Sequence, residues 1–390
     1  MNLLIQMGDS YPNESPAAKR MRAFSDVLRS RGHQVTVLAP NSPGEKTSAD
    51  NVLYCPTITL KKKTTLMRML NQLSFACSSL FVSRKAGQAD VVLTTSPPAL
   101  IGISGWLIAK AKGAKLVYDV RDIWPDVAWE MGSFGPESLY SRIFVFIRDF
   151  MLKHADLITA VSPGKVAKLK AYHPNADVAF ITNGLDEAFL QNQIDPRIRR
   201  KYHMEHGFHC VYIGNLGWAQ GLTQLLFLAE KAQEASLDVC FHLFGSGVEE
   251  ASLKEYVSSH NLTNVLFPGR LPNSQMYTIL KSAQMSFVSL VNENLRDSVP
   301  TKMFEALGVG CPVLLAAAGD AAQILEESKL GIAVMPNDKE ALWKAFTDLY
   351  HNRDTYLQER EHAQRLILRK YSRQNAALAL EQELLALLGQ

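Results

Sequence analysis

The sequence predicts an α/β protein with two domains, each a parallel sheet flanked by helices. Short apolar runs alternate with helical patterns along the chain, which is typical of βα units around parallel sheets. The length of 390 residues suits two ordinary domains better than one. With 47% hydrophobic and 20% charged residues, the composition is that of a globular protein, which excludes wholesale disorder and fibrous repeats.

The first domain is predicted over residues 1–190. It opens with an apolar strand and a loop, followed by a helix that has Pro16 near its first turn and ends at Gly32. The predicted strands are 2–7, 34–39, 91–95, 115–119, 155–161 and 178–182, and the predicted helices include 16–32 and 100–112.

The second domain is predicted over residues 191–371, with a polar, charged linker at 191–209. The predicted strands are 210–213, 239–244, 265–267, 285–289, 313–316 and 332–334. An amphipathic helix in the segment 372–390 ends the chain. Two open sheets of this kind carry their ligand-binding loops at the carboxyl ends of the strands, so the pattern implies a ligand cleft between the domains.

The charge is unevenly distributed along the chain. The net charge is +3, from 41 basic and 38 acidic side chains, and this mild balance argues against a nucleic-acid partner. Residues 1–190 carry 22 basic and 16 acidic side chains, a net +6, and the other 200 carry 19 and 22, a net −3. The first half is therefore expected to face an anionic partner.

The cysteine pattern and the N-terminal sequence together predict the cellular compartment of the protein. The five cysteines are scattered and none forms a CxxC pair, so a reducing compartment is expected. The apolar start lacks a basic segment and a cleavage site, which indicates a first strand rather than a signal peptide. No apolar run reaches the ~18–20 residues of a membrane-spanning helix. These features predict a cytoplasmic protein whose membrane contact is peripheral.

Seven short segments carry a resemblance to a known family. They are RGHQVTVLAP (31–40), TTSPPAL (94–100), DVRDIWPD (119–126), ITNGLD (181–186), YIGNLGWAQGL (212–222), FGSG (244–247) and PTKMFEALGVGCPV (300–313). In this order and spacing they resemble glycosyltransferase family 4, which has the GT-B fold. The RD-x-WP segment is similar to the WbuB-like subgroup, typified by bacterial N-acetyl-fucosamine transferases of polysaccharide and O-antigen assembly.

The resemblance implies a fold and a reaction. The fold is GT-B: two Rossmann-like domains facing across a cleft, with the C-terminal helix packing back on the first domain. The reaction is transfer of a sugar, with retention at the anomeric carbon, from a nucleotide-sugar to a lipid-linked (polyprenyl diphosphate) saccharide. The subgroup favours a UDP-linked N-acetylamino sugar as donor. No metal or other cofactor is expected, and the expected location is the cytoplasmic face of the bacterial inner membrane.

Two other functions remain open at this point. A non-hydrolysing sugar-nucleotide epimerase shares the two-domain fold, although few histidines lie at the predicted strand ends to serve it. A catalytically silent partner subunit that only binds nucleotide is the second alternative. Turnover of a donor by the purified protein distinguishes the silent partner from an enzyme.

The strongest candidate site lies between Asp297 and Glu305. Pro300 suits the start of a helix, whose free N–H groups and dipole form an anion site appropriate for a diphosphate. Lys302 adds a positive charge in the first turn. By resemblance, Asp297 would hold donor-sugar hydroxyls and Glu305 the ribose hydroxyls. The alternative is an ordinary helix with a solvated lysine and glutamate.

The glycine-rich turn after residue 213 is the second candidate for donor binding. Gly214 and Gly217 would let the backbone approach a phosphate closely, although ordinary turn chemistry explains them equally well. Many family members carry an arginine and a lysine where this chain has Asn215 and Gln220. The positive charge that faces the diphosphate must then come from helix dipoles, from Lys302 or from a base elsewhere.

Two clusters of the first domain are candidates for catalysis and phosphate contact. Arg121 and Asp122 follow a strand, where many family members have His-Asp. Asp122 would orient the acceptor hydroxyl or take its proton, and Arg121 would meet the leaving phosphate. Ser15 is predicted to cap the first helix, with Lys19 and Arg20 facing an acceptor or donor phosphate. The alternatives are a structural Arg–Asp pair and ordinary surface charges.

The segment 60–85 is basic at both ends and apolar between them. Lys61, Lys62, Lys63 and Arg68 beside apolar residues at a spacing of three or four favour an interfacial helix on anionic lipid. A helix packed in the core is the alternative. His203, His206 and His209 are also spaced by three, but no carboxylate or cysteine in that segment completes a metal site, so no metal is predicted there.

Overall fold

The computed structural model describes residues 1–9, 11, 15–41, 51–58 and 65–390. These residues form two compact units. The first comprises Met1–Asn183 together with Arg373–Gln390, and the second comprises Gly184–Ser372. The boundary therefore falls at Gly184, ahead of the predicted start of the second domain at residue 191.

The first unit is built on a parallel sheet of seven strands in the order β3-β2-β1-β4-β5-β6-β7. The central strand β1 is buried on both faces, as expected for a parallel sheet covered by helices. The strands are β1 (Asn2–Gln6), β2 (Gln34–Pro40), β3 (Val52–Cys55), β4 (Val91–Ser96), β5 (Lys115–Val120), β6 (Leu157–Ala160) and β7 (Val178–Phe180).

Helices cover both faces of this sheet. The helices α2, α3 and α5 pack in one core cluster with the sheet, and α1 packs in a separate cluster on other strand residues. They are α1 (Pro16–Ser30), α2 (Thr65–Val82), α3 (Gly102–Lys112), α4 (Asp126–Glu130), α5 (Leu139–His154) and α6 (Pro163–Tyr172).

Local sequence accounts for the first helix. Ser15 is its N-cap, and the Ser15 hydroxyl accepts a hydrogen bond from Ala18 N at 3.2 Å. Pro16 occupies the first turn, where its missing N–H has no consequence. One side of the helix is apolar and buried, through Ala17, Ala18, Met21, Phe24 and Leu28.

The second unit has a parallel sheet of six strands in the order β10-β9-β8-β11-β12-β13. Its strands are β8 (Phe208–Asn215), β9 (Val239–Ser246), β10 (Val265–Gly269), β11 (Met285–Ser289), β12 (Val313–Ala316) and β13 (Gly331–Val334). Its helices are α7 (Pro196–Lys201), α8 (Thr223–Glu234), α9 (Glu250–Ser259), α10 (Asn273–Ser282), α11 (Thr301–Val309), α12 (Asp320–Ser328), α13 (Lys339–His351), α14 (Arg353–Leu357) and α15 (Arg360–Lys370).

The last helix of the chain, α16 (Arg373–Leu387), belongs to the first unit. It packs against α1 through Ala376, Ala377, Leu380 and Leu384, all buried. Glu381 is buried, forms an ion pair with Arg31 and makes a hydrogen bond of 2.7 Å with His33 Nε2. The predicted return of the C-terminal helix to the first domain is confirmed.

Strand β3 and the helices α4, α5 and α6 of the first unit are not among the elements named from the sequence pattern. The predicted linker 191–209 is also partly structured. It contains α7, which packs on α10, and Asp195 N donates to Thr278 Oγ1 at 3.1 Å. Charged residues on a short, half-exposed helix give no apolar periodicity, so the sequence alone does not distinguish such a segment from a linker.

Only part of the proposed membrane segment, residues 60–85, lies within the described residues. Lys61, Lys62 and Lys63 lie outside the described residues, whereas Arg68 is exposed on α2. No helix among the described residues is long and apolar enough to cross a bilayer.

Candidate functional site

The second sheet changes winding direction between β8 and β11. The chain runs from β8 to β9 and β10 on one side and from β11 to β12 and β13 on the other. The carboxyl ends of strands at such a switch point form the usual ligand crevice of an open α/β sheet. The glycine-rich turn that follows β8 lies at this place.

Two glycines allow the turns after β8 and β9 to approach each other closely. A Cβ atom on Gly245 would lie 1.8 Å from the carbonyl oxygen of Gly214, and one on Gly247 would lie 2.0 Å from that of Leu216. These neighbours are backbone atoms that no side-chain rotation can move aside. The glycines of the FGSG segment therefore permit the close packing that forms the floor of the site.

Lys302, in the first turn of α11, reaches the end of β8. Its Nζ donates to Tyr212 Oη at 2.9 Å and to Gln220 Oε1 at 2.5 Å, and lies 4.1 Å from the centroid of the Tyr212 ring. A Cβ atom on Gly214 would lie 3.0 Å from this Nζ. The structure thus brings Lys302 together with Gly214 and Gln220, from which it is far apart in sequence.

Among the described residues, Lys302 Nζ donates hydrogen bonds to neutral oxygens, those of Tyr212 and Gln220. Burial lowers the pKa of Lys302 to about 7, and the charge of Glu305 opposes this shift only in part. The positive charge of Lys302 is therefore only partly compensated. An anionic ligand would compensate the remaining charge of Lys302. The pKa of Lys302 would then rise, because the nearby negative charge favours the protonated form.

The start of α11 supplies further donors. Pro300 is the N-cap residue, in extended conformation, and its own side chain makes no capping hydrogen bond. Pro300 therefore lies at the start of the helix, directly before the first helical residue Thr301, in agreement with its predicted place at or near that position. Asp297 lies in the turn before the helix and Glu305 one turn into it, and both are half-buried.

The glycine-rich turn contacts Lys302 through Gln220, which accepts a hydrogen bond from the Lys302 ammonium group. Its backbone oxygen also accepts from Ser289 Oγ at 2.5 Å, at the end of β11. Asn215, at the end of β8, is exposed, and its backbone oxygen accepts from Tyr212 Oη at 2.6 Å. Lys302 of α11 therefore lies beside the glycine-rich turn, which contains no lysine or arginine.

The first sheet has its own switch point, between β1 and β4. At the carboxyl ends of these strands lies a pocket of about 280 Å³. Polar and aromatic groups share its wall, which is formed by Asp9, Gln72, Pro97, Pro98, Ala99, Arg121, Trp124 and Phe144. Aromatic rings beside a carboxylate and a guanidinium suit a ligand with both apolar and hydroxyl-bearing or anionic surfaces.

Arg121 is held rigidly at this pocket. Its Nε donates to Thr95 Oγ1 at 3.2 Å and its Nη2 donates to the carbonyl of Pro97 at 2.7 Å. Both acceptors are neutral, although the charge of Arg121 also acts on the buried carboxylate of Asp119. Asp122, the next residue, is half-buried and is not part of the pocket wall.

Arg20 is buried in an ion pair, whereas the sequence predicts that it faces a phosphate. It is 1% exposed, and its Nη2 pairs with Asp119 Oδ1 at 2.9 Å and donates to the carbonyl of Ile181 at 2.8 Å. Its Nη1 donates to the carbonyl of Thr182. Arg20 therefore joins α1 to β5 and to the segment after β7, and the prediction of a phosphate contact for it is wrong.

Ser15 and Lys19, the other two residues predicted beside Arg20, lie at the start of α1. Ser15 Oγ donates to Asp9 Oδ2 at 3.0 Å besides capping the helix, and Lys19 is half-buried. Asp9 is a pocket residue that the motif comparison did not single out. Its position three residues after the end of β1, at the switch point, is the signal that would have identified it.

Comparison with solved structures defines the class of protein first. HepE from Anabaena, solved in complex with UDP, superimposes with a TM-score of 0.77 at 16% identity, covering 99% of this chain and 100% of that one. This likeness, over two units with parallel sheets, confirms the predicted GT-B fold.

Sequence comparison then gives the family. The chain matches the model of group 1 glycosyl transferases over residues 194–371 and that of the glycosyl transferase 4-like domain over residues 17–184. The protein is therefore a glycosyltransferase of family 4.

Two curated relatives agree with this assignment. The putative colanic acid biosynthesis glycosyl transferase WcaI of Escherichia coli K12 is 24% identical, over 88% of this chain and 90% of its own length. The probable glycosyltransferase WbjE of Pseudomonas aeruginosa is 23% identical, over 70% and 68%.

Proposed function

We propose that this glycosyltransferase moves a sugar from a UDP-linked donor, with an N-acetylamino sugar as the first choice, to a lipid-linked saccharide of a bacterial surface polysaccharide. The observation that carries the donor assignment is Lys302. Its only partly compensated ammonium group lies at the carboxyl end of β8 and in the first turn of α11, whose N-cap residue Pro300 makes no side-chain capping bond. HepE, which shares the fold, binds UDP, and the name of WcaI places that relative in polysaccharide synthesis.

In the donor site, the charge of Lys302 and the N-terminus of α11 would both contribute to binding the donor. The N–H groups at the start of α11 and the ammonium group of Lys302 would receive the diphosphate. Glu305, one turn further along the helix, would accept hydrogen bonds from the ribose hydroxyls. Asp297, in the preceding turn, would hold hydroxyls of the donor sugar.

In the first unit, the pocket at Arg121 would receive the acceptor. Trp124 and Phe144 offer apolar surface to a sugar face or to the first part of a lipid, and Arg121 offers a cation to a phosphate. Asp122 would orient the acceptor hydroxyl.

The proposed reaction retains the anomeric configuration by front-face attack and needs no metal. The bond between the anomeric carbon and the diphosphate oxygen breaks, and a bond from the acceptor oxygen forms on the same face. The acceptor proton passes to Asp122 or to the departing phosphate oxygen. The residues would act by positioning and by stabilising the charge on the leaving diphosphate.

A thermal-shift screen tests this function. UDP, GDP, ADP, CMP and their sugar conjugates are each added to the full chain, with and without EDTA. We expect UDP and its conjugates to raise the melting temperature by mass action, and the size of the nucleotide-induced shift to be the same with EDTA. Glu305→Ala should reduce the shift, because lost hydrogen bonds to a charged group cost about 1.5–3 kcal/mol.

The outcomes separate the candidates. A shift with UDP and donor turnover in the presence of a lipid-linked acceptor would support the proposed reaction. A shift without turnover would favour a silent, nucleotide-binding subunit. No shift with any nucleotide would contradict the donor site at Lys302.

A membrane surface is proposed for the first unit. The outer side of the helix layer α2-α3-α5 exposes seven large apolar side chains: Leu70, Leu73, Phe81, Leu107, Leu139, Tyr140 and Phe146. Phe81 is 65% exposed and lies under Arg84, whose guanidinium is 5.5 Å from the ring centroid. Helix α2 therefore has two apolar sides, one in the core at Phe75 and Ala76 and one in solvent. An apolar, basic-edged outer surface suits the interface of an anionic bilayer.

The double variant Leu73→Ser, Phe81→Ser should bind anionic vesicles at least about tenfold more weakly than wild type, because each buried apolar side chain contributes about 1.5–3 kcal/mol. Cosedimentation with vesicles at low and high salt measures this. The matched control is Val248→Ser, Leu266→Ser, which removes exposed apolar groups of the second unit. Equal binding by both double variants, or no binding by wild type, would contradict the membrane surface.

A further inference from the structure

Three ligand-type side chains meet at the amino-terminal ends of β8 and β9. His209, Cys240 and His242 place one ligand atom each within 4.8 Å of one another. Cys240 lies opposite His209 in the parallel ladder, and His242 follows two residues later, so all three project from one face of the sheet. His203 and His206, which the sequence spacing groups with His209, do not join this cluster.

The hydrogen bonds of His209 prepare it as a ligand. Its Nε2 lies 2.8 Å from the carbonyl oxygen of His206, so this nitrogen carries the proton and Nδ1 carries the lone pair. A metal-binding histidine typically donates its second ring nitrogen to a carbonyl or carboxylate in this way, which fixes the tautomer and the ring orientation.

His242 is buried and incompletely satisfied. It is 0% exposed, its Nε2 lies 3.0 Å from His209 Nδ1, and its Nδ1 has no hydrogen-bond partner among the described residues. Among the described residues, the hydrogen-bond partner of this ring is thus another imidazole, His209, whose lone pair faces it. A cation between the two facing nitrogens would use the lone pairs of both rings.

Binding of a divalent cation at this cluster would release the thiol proton of Cys240, since the thiolate is the ligand.

We propose that His209, Cys240 and His242 form a binding site for Zn²⁺. Two imidazoles and one thiolate are the donors that zinc prefers, with a water molecule as the fourth ligand. Cys240 is half-buried and gives the ion a path from solvent. About five residues of β8, or about 17 Å at the usual strand rise, separate His209 from Gly214. The ion would therefore cross-link the far ends of β8 and β9 and stabilise the second unit, outside the proposed sugar transfer.

The test uses the full chain, freed of metal and kept reduced with a phosphine. Zn²⁺ is titrated against a chromophoric chelator, and Co²⁺ is added separately as a spectroscopic probe. We expect one Zn²⁺ per chain and a thiolate-to-cobalt charge-transfer band. Cys240→Ser should abolish the band and weaken Zn²⁺ binding by about 100-fold or more, since loss of even an indirect partner of a metal ligand costs 10–100-fold.

Cys77→Ser is the matched control, because it removes an exposed thiol of the first unit. It should leave both the band and the affinity unchanged. His242→Asn should lower affinity as Cys240→Ser does. If it does not fold, the melting temperature decides instead: Zn²⁺ should raise that of wild type and not that of Cys240→Ser. Absence of the cobalt band in wild type, or its persistence in Cys240→Ser, would overturn the proposal.

Discussion

Replacing Lys302 by methionine is expected to lower kcat/KM for the sugar donor by about 100- to 1000-fold, the usual effect of losing one group that stabilises charge in the transition state. Methionine keeps much of the length and volume of the side chain while removing its charge. The N–H groups at the start of α11 would still donate to the diphosphate, but Asn215 and Gln220 are neutral and could not replace the lost positive charge.

Initial rates with UDP-sugar and a lipid-linked acceptor measure this effect. Lys281→Met is the matched control, since Lys281 is also half-buried, and its Nζ donates to the carbonyl of Val309 at 2.9 Å at the opposite end of α11. It should keep activity near that of wild type. Equal kcat/KM for wild type and Lys302→Met would remove Lys302 from the mechanism.

The pKa of Lys302 adds a pH dependence to the same experiment. Burial lowers this pKa to about 7 in the free protein, and a bound diphosphate would raise it. Nucleotide binding should therefore take up a proton, and affinity should fall as pH rises above about 7. The variant Lys302→Met should lose this dependence, which calorimetry in buffers of different ionisation enthalpy can follow.

Replacing Asp119 by asparagine is expected to destabilise the first unit by about 3–5 kcal/mol, as for breaking one partner of a buried ion pair. Asp119 is 0% exposed and Arg20 is 1% exposed, with 2.9 Å between Arg20 Nη2 and Asp119 Oδ1. Thr95 and Thr159 donate to the same carboxylate at 3.0 and 2.7 Å. The substitution would leave the Arg20 guanidinium buried without a counter-ion.

Urea unfolding of the full chain measures the loss, and hydrogen exchange of β5 assigns it to the first unit. Glu137→Gln is the control, because its ion pair with Arg142 is highly exposed and spans 3.9 Å; such pairs contribute about 0–1 kcal/mol. A loss as small for Asp119→Asn as for Glu137→Gln would show that the pair is not needed for stability.

Asp119→Asn should also change how the free energy of unfolding depends on pH in the acidic range. Burial would raise the pKa of Asp119, but the charge and hydrogen bonds of Arg20, with Thr159, lower it overall. A carboxyl group with a lowered folded-state pKa contributes fully above its unfolded value and loses that contribution as pH falls through the folded value. Asp119→Asn should therefore remove part of the acid-induced loss of stability.

Much of the fold was accessible from the sequence because its signals are local. The alternation of apolar runs and helical patterns predicts the parallel sheets, and Ser15 with Pro16 predicts the start of α1. The ordered family motifs predict the GT-B fold and the return of α16. Each of these signals depends on neighbours within a few residues or on the order of segments along the chain.

The tertiary structure alone decided what the charged and polar side chains contact. Arg20 lies in α1, five residues after the N-cap Ser15, yet its partners come from β5 and the segment after β7. Lys302 meets a turn about 80 residues earlier in the chain, and His209 finds its partners on β9. Helix periodicity at α2 also could not show which of its two apolar sides faces the core. The physical reason is that burial and pairing arise from contacts between distant segments, which local periodicity and capping do not encode.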